Sequence, residues 1–114
     1  MLVNIRAQVL VWTAQRVSAA VLAVCLVVHL VTIIYAVRNG LSAAEILGRT
    51  RGSYAWAGFY AIFVAAVAVH APIGLRSVLA ETFDWRGPGL DFTVTAMGVA
   101  LALWGFRAVY AVFV

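Results

Sequence analysis

The chain has 114 residues, of which 66% are hydrophobic and only 11% carry a charge. A soluble domain has roughly 45–50% apolar and about 25% charged residues, and a chain this short cannot bury such an apolar excess in one core. The net charge of +4 comes from arginines spread along the chain, which excludes the concentrated basic face that binds nucleic acid. The composition therefore predicts an integral membrane protein.

Charge-free intervals in chain order predict three transmembrane helices and an all-α fold. The first interval lies between Arg16 and Arg38 and the second between Arg51 and Arg76. The third begins after Asp91 and is interrupted only by Arg107. At about 1.5 Å of rise per residue, intervals of this length cross a hydrocarbon core of about 30 Å. The sequence predicts a single transmembrane domain with helices over residues 10–37, 53–79 and 91–113.

Two polar connections separate the predicted spans. In residues 38–53, Ser42 is followed three positions later by Glu45, a capping-box pattern that predicts a short interfacial helix over 43–47. In residues 82–91, the run Gly-Pro-Gly predicts a turn. The arginines divide equally between the two membrane faces, so the positive-inside rule gives no orientation. The acidic residues are all assigned to loops: Glu45, Glu81, Asp84 and Asp91.

Two histidines, His29 and His70, interrupt the first and second spans. Ionisable side chains inside a membrane are costly and by default mark a functional site. From helix rise, His29 lies roughly 20 Å from the level of Arg16, whereas His70 lies about 9 Å from the level of Arg76. The two helices run antiparallel, so both arginines belong to the same membrane face and the rings lie at different depths. We therefore do not expect them to bind one metal atom together.

An imidazole in a membrane can ligate haem iron, relay protons or hydrogen-bond to a neighbouring helix. A structural zinc site needs about four converging ligands, and this chain offers one thiol and two separated imidazoles. A haem with two axial histidines needs only one histidine from each of two helices. Arg76 is near enough to His70 to balance the propionates, and Gly74, one turn from His70, would let a flat macrocycle or another helix approach. A purely structural hydrogen bond from each histidine remains the alternative.

Two segments resemble motifs of the cytochrome b membrane-anchor subunits of succinate dehydrogenase and fumarate reductase. Residues 15–30, QRVSAAVLAVCLVVHL, are similar to the family's HR-x-[ST]-G opening of the first helix, with Gln15 and Ala19 in place of its His and Gly. Residues 70–81, HAPIGLRSVLAE, are similar to the family's H-x-x-x-G-[IL]-R segment that ends in an acidic residue. The resemblance covers all three spans. It implies an anchor that completes a helical bundle with a second copy or a sister subunit.

The resemblance implies that His70 is an axial ligand of haem b iron, with Gly74 and Arg76 beside it. His29 is similar to the first-helix ligand of larger anchors that hold two haems, which implies a second, distal haem. The resemblance gives one or two haems per assembled anchor, with iron ligands shared between two chains. An identical copy and a sister chain are both open as the source of the second ligand.

The first motif implies a quinone or propionate region formed by Arg16, Gln15 and Ser18. In the family, a flavoprotein subunit interconverts succinate and fumarate, and an iron–sulfur subunit passes electrons to the anchor and to membrane quinone. The chain is then a non-catalytic electron-transfer subunit of the respiratory chain and the tricarboxylic acid cycle. The expected location is a bacterial-type inner (cytoplasmic) membrane or an equivalent respiratory membrane.

The sequence leaves three alternatives open, and one of them is an uncharacterised scaffold protein. The first is a haem-free anchor of the same complex that binds only quinone and the dehydrogenase. The second is a small oligomeric membrane transporter in which the two histidines relay protons or contact substrate. The assignment of every acidic residue to a loop weighs against the transporter, because such transporters use an acidic side chain inside a span.

Overall fold

The computed structural model describes residues 4–114 and consists of four helices, with no strand among these residues. The helices are α1 (Ile5–Arg38), α2 (Ala43–Thr50), α3 (Tyr54–Phe83) and α4 (Pro88–Phe113). The helices α1, α3 and α4 are each long and apolar enough to cross a membrane. The predicted all-α fold with three transmembrane helices is confirmed.

The first helix begins at Ile5 rather than near residue 10, because a polar residue caps it there. The Asn4 side chain accepts hydrogen bonds from the backbone N–H groups of Arg6 and Ala7, at 2.7 and 3.4 Å. Such a side chain satisfies donors that have no partner within the helix. With 34 residues, α1 is about 51 Å long and therefore extends beyond a hydrocarbon core of about 30 Å.

The junction between α3 and α4 is shorter than the sequence predicted. The third helix continues to Phe83 and so contains Glu81, while Asp91 lies in the first turn of α4. The fourth helix begins at Pro88, whose missing N–H costs nothing at the first helical position. Of the predicted Gly-Pro-Gly turn, only Gly87 lies outside the helix, and it adopts a φ of 107°. The assignment of every acidic residue to a loop was wrong.

The short helix α2 begins where the capping-box pattern predicted it. The Ser42 hydroxyl accepts from the backbone N–H of Glu45 at 3.2 Å and lies 3.1 Å from that residue's Oε1. The helix continues to Thr50 instead of ending near residue 47. Its Thr50 hydroxyl donates to the Val112 carbonyl at 2.8 Å, so the end of α2 is fixed to the end of α4.

The three long helices form a row in which α3 lies in the middle. It packs against α1 on one side and α4 on another, whereas α1 and α4 scarcely meet. Near the α3–α4 junction, Ala80, Leu90 and Val94 form a small buried cluster, against which Leu75 and Leu79 pack. This apolar contact anchors the start of α4 on the end of α3.

Two glycines allow α3 and α4 to approach closely. A Cβ atom at Gly98 would lie 2.7 Å from Pro72 Cγ, and one at Gly105 would lie 2.5 Å from Val64 Cγ1. The third helix remains continuous through Pro72, whose ring packs into the space over Gly98. Small residues at helix contacts in membranes have this effect.

Most large apolar side chains of the chain remain exposed. Val24 on α1, Ile62 on α3 and Leu103 on α4 are 65%, 57% and 67% exposed. A row of three helices has more outward-facing surface than interior. That surface is left for lipid or for another polypeptide.

Candidate functional site

The face of α1 that packs on α3 carries polar side chains at helical spacing. Ser18 and Cys25, seven residues apart, are the buried residues of α1. Gln15 and His29 lie on the same face and are half-buried. Residues three, four and seven positions apart share one side of a helix, so the sequence itself places these four side chains on one face of α1.

The first polar site on this face joins Ser18 of α1 to His70 of α3. The Ser18 Oγ lies 3.4 Å from His70 Nδ1 and donates a hydrogen bond of 3.1 Å to the Gln15 carbonyl. Only 6% of Ser18 is exposed, and it is the one buried polar residue among residues 4–114. The hydroxyl is therefore shielded from water, and its partners come from the protein.

The Gln15 side chain lies over Gly74, one turn from His70. Its Nε2 is 3.3 Å from the position that a Cβ of Gly74 would occupy. Its Oε1 is buried and has no hydrogen-bond partner among the described residues. The space above Gly74 is thus occupied by a side chain of another helix, α1, which is one of the two approaches that this glycine was expected to allow. The unpaired Gln15 Oε1 keeps a hydrogen-bonding capacity that residues 4–114 do not use.

The second polar site joins His29 of α1 to Tyr60 of α3. The Tyr60 hydroxyl lies 3.4 Å from His29 Nδ1. The imidazole also contacts Tyr60 and Phe63 edge to face, with ring centroids 5.8 and 5.6 Å apart. These rings line one side of a cavity of about 650 Å³ whose other walls are mostly apolar side chains of α2, α3 and α4, together with Thr50.

The two histidines lie at different levels of the bundle, as helix rise predicted. From Ser18 to His29 is eleven residues along α1, and from His70 back to Tyr60 is ten residues along α3. The helices α1 and α3 are antiparallel, so moving forward along α1 and backward along α3 by a similar number of residues leads to two positions at the same level. The two sites are therefore about 16 Å apart along the bundle, and no single ion touches both rings.

The two predicted arginines differ in their surroundings. Arg76 Nε donates to Asp91 Oδ1 at 2.7 Å, and both side chains are about half exposed. The Arg16 guanidinium lies over the Trp12 ring, 5.1 Å from its centroid. Arg16 and Arg76 both lie toward the end of the bundle that contains the Ser18–His70 contact, and three of the four acidic residues lie at the same end: Glu81, Asp84 and Asp91.

The residues present fit haem iron better than a multi-ligand metal site. Within residues 4–114, no three His, Cys, Asp or Glu side chains form a group that could hold a metal ion. Iron in a haem needs only one or two protein ligands. A metal-ligating histidine usually hydrogen-bonds through its other ring nitrogen. His70 and His29 each make such a bond through Nδ1, while Nε2 has no hydrogen-bond partner in the described chain.

Two residues of these sites escaped the sequence reasoning. Tyr60 was not singled out from the sequence, and Asp91 was assigned to a loop. A signal for Tyr60 existed, because pairing Ser18 with His70 in an antiparallel arrangement brings Tyr60 to the level of His29. No comparable signal exists for Asp91, since its contact with Arg76 depends on how sharply the chain turns between α3 and α4.

Comparison with known proteins gives one family match. The family described as the succinate dehydrogenase/fumarate reductase transmembrane subunit matches residues 1–113. No curated protein matches the chain significantly, and no solved structure does. The family match covers almost the whole chain, including all three spans and both histidine sites. The chain therefore belongs to the succinate dehydrogenase/fumarate reductase transmembrane subunit family.

Proposed function

We propose that the chain is the haem b-binding anchor of a succinate dehydrogenase or fumarate reductase complex and carries electrons between the iron–sulfur subunit and membrane quinone. The observation that carries the proposal is the contact of His70 Nδ1 with the buried Ser18 hydroxyl, which leaves Nε2 for iron. Family membership supports the setting, because a transmembrane subunit of this kind works beside a dehydrogenase.

His70 is the proposed axial ligand, and its counterpart comes from a second polypeptide. His29 is excluded as that counterpart because it lies at another level, against Tyr60. The second ligand is supplied either by an identical copy or by a sister chain. The outward-facing apolar side chains of the three-helix row are available to such a partner.

A bound haem supplies a one-electron carrier within the membrane. The residues of this chain hold the haem and influence its reduction potential. Ser18 orients the His70 ring, and Arg76 provides positive charge for propionates near the membrane face. One Arg76 nitrogen is used by Asp91, and a guanidinium has five N–H donors, so others remain for an anionic group.

Arg16, Gln15 and Ser18 form the proposed quinone or propionate region on the same level. The unpaired Gln15 Oε1 supports this assignment, because a hydrogen-bond donor from a ligand or a partner subunit would satisfy it after a small rotation of the amide. Arg16, stacked on Trp12, is exposed toward the same end of the bundle. The proposed partners are the flavoprotein and iron–sulfur subunits, docked at this end of the chain in a respiratory membrane.

His29 is the proposed ligand of a second, distal haem. Its ring borders the cavity of about 650 Å³, and its Nδ1 contacts Tyr60 in the manner that Nδ1 of His70 contacts Ser18. This second group is a separate claim from the first, since the two sites share no residue.

A haem-free quinone anchor is the second candidate function. It is favoured by the Gln15 amide, which fills the space over Gly74 and so closes one side of the His70 site within the single chain. In that case, Gln15, Ser18 and His70 together form a polar pocket for a quinone head group.

A reduced-minus-oxidised spectrum of the purified complex, with haem counted per polypeptide, tests the proposal. We expect a b-type α band that disappears in His70→Ala and persists in the control Ser77→Ala, an exposed serine of α3. An intact, quinone-active complex without haem would reject the haem proposal in favour of the second candidate. One haem per two chains, unchanged by His29→Ala, would reject only the distal haem.

A further inference from the structure

We propose that Ser18 is a positioning residue that holds His70 in the tautomer with the proton on Nδ1, so that Nε2 keeps the lone pair that a metal requires. The consequence for iron rests on the proposed function, whereas the tautomer itself does not. The proposal gives Ser18 a task in addition to its place in the quinone or propionate region, because the hydroxyl proton and one of the two lone pairs are used by Gln15 and His70.

The hydroxyl of Ser18 has one proton and two neighbours. It lies 3.1 Å from the Gln15 carbonyl oxygen and 3.4 Å from His70 Nδ1. A carbonyl can only accept, so a hydrogen bond to Gln15 must use the hydroxyl proton. The oxygen of Ser18 then presents lone pairs to the imidazole, and Nδ1 must be the donor.

The opposite arrangement would leave an unsatisfied donor. If Ser18 donated to Nδ1, the ring proton would move to Nε2, which has no hydrogen-bond partner among residues 4–114. With the proton on Nδ1, the single N–H of the ring and the single O–H of Ser18 are both satisfied. A polar donor without a partner is costly in a membrane interior, so the satisfied arrangement prevails.

Burial makes the arrangement persistent. Ser18 is 6% exposed and lies in the α1–α3 contact, where water cannot replace either partner. Neutral imidazole binds metals through whichever ring nitrogen is unprotonated, and the hydrogen bond at the other nitrogen decides which one that is. Loss of such a supporting bond typically lowers metal affinity about 10–100-fold.

The test begins with the haem-free full-length chain, labelled with ¹⁵N-histidine in lipid nanodiscs. Nitrogen chemical shifts distinguish protonated from unprotonated ring nitrogens, and His29→Gln identifies the His70 signals. We expect a protonated Nδ1 and an unprotonated Nε2 for His70. Ser18→Ala shifts the population toward protonated Nε2, and Ser18→Thr, which keeps the hydroxyl, restores the original pattern.

Ser77→Ala is the matched control, because the Ser77 hydroxyl donates to the Ile73 carbonyl at 3.3 Å and does not touch His70. A protonated Nε2 in the unmodified chain would overturn the proposal. So would the same tautomer distribution in Ser18→Ala as in the unmodified chain. A general loosening of the helices does not mimic the expected result, since Ser18→Thr would not then reverse it.

The second arm uses the assembled complex and separates this proposal from the proposed function. Where haem is bound, Ser18→Ala is expected to weaken haem retention about 10–100-fold and to move the reduction potential to a more positive value, because the ligand loses basicity. Bound haem with unchanged retention and potential in Ser18→Ala would overturn the role toward iron. A complex without haem would reject the proposed function and leave the tautomer to be decided by the nitrogen spectra alone.

Discussion

Arg76 and Asp91 connect the last turns of α3 to the first turn of α4 through a bond of 2.7 Å between Nε and Oδ1. A carboxylate in the first turn of a helix is also favoured by the helix dipole. Both side chains are about half exposed, so the pair adds at most about 1 kcal/mol to stability. The pair is neutral as a whole, so removing either member alone changes the net charge near the end of α3 that lies beyond His70.

Replacing Asp91 and replacing Arg76 are predicted to move the haem reduction potential in opposite directions. Asp91→Asn deletes a negative charge and raises the potential, whereas Arg76→Gln deletes a positive charge and lowers it. Arg76 lies about 9 Å along the helix from His70, so each shift is on the order of tens of millivolts. Redox titration of the α band measures both.

Arg86→Gln is the control, because it also removes one positive charge but does so on the loop between α3 and α4. Arg86 pairs with Asp84 at 3.2 Å on the exposed loop, where both side chains are 70–90% exposed. Its replacement is expected to change the potential less than either Arg76→Gln or Asp91→Asn. Shifts of the same sign in the two principal variants would contradict the assignment of Arg76 to the haem region.

Gly98→Ala is predicted to destabilise the chain by about 1–3 kcal/mol. The added methyl group would lie 2.7 Å from Pro72 Cγ and 3.3 Å from the Ala68 carbonyl oxygen, so one helix must move. Unfolding of the full chain in bicelles, followed by tryptophan fluorescence, gives the free-energy change.

Gly58→Ala is the matched control, because a Cβ at Gly58 of α3 would meet nothing within 4 Å. Alanine is the better helix former, so this variant is expected to be neutral or slightly stabilising. If the two glycine variants lose the same amount of stability, close packing at Gly98 is not the cause.

Thr50→Val is predicted to detach α2 from the end of α4. The Thr50 hydroxyl donates to the Val112 carbonyl at 2.8 Å, and the Gly52 backbone N–H donates to the Phe113 carbonyl at the same distance. Removing the hydroxyl costs about 0.5–1.5 kcal/mol and is expected to speed amide hydrogen exchange in residues 43–52.

The control for this variant is Thr82→Val, a change at an exposed threonine near the end of α3. Exchange in α2 is expected to stay at the rate of the unmodified chain. Protection of α2 that survives Thr50→Val would mean that the Gly52 bond alone holds the loop.

His29 and Tyr60 are predicted to be energetically coupled. A double-mutant cycle with His29→Leu and Tyr60→Phe is expected to give a coupling energy of about 0.6 kcal/mol. The largest values for such pairs in membranes are about 1.7 kcal/mol. Pairing His29→Leu with Tyr110→Phe, at an exposed tyrosine of α4, is expected to be additive. Additivity in both cycles would show that the 3.4 Å contact between Tyr60 and His29 contributes nothing to the stability of the chain.

The number and position of the membrane helices could be predicted because charge marks their limits directly. The helix ends are less predictable, since Asn4 and Pro88 extend helices through local capping that depends on backbone geometry. Glu81 and Asp91 illustrate the same point, because a charged residue at a membrane face is compatible with a helix as well as with a loop.

The contact of His70 with Ser18 could not be predicted from composition or spacing alone. Helical periodicity directs Ser18 and His29 to one face of α1, but it does not say which helix covers that face. Rotation of α3 about its own axis decides whether His70 meets Ser18 or lipid. That rotation depends on the fit of Pro72 against Gly98, a contact between residues distant in sequence.

The turn of α3 that contains His70 and Pro72 is held from two sides, by Ser18 of α1 and by Gly98 of α4. Contacts on two sides restrict rotation and sliding of α3, so the direction of the imidazole is fixed when the chain folds. The loss of conformational entropy is then incurred before any second polypeptide arrives. Assembly with that polypeptide starts from a preorganised half-site and loses less freedom on association.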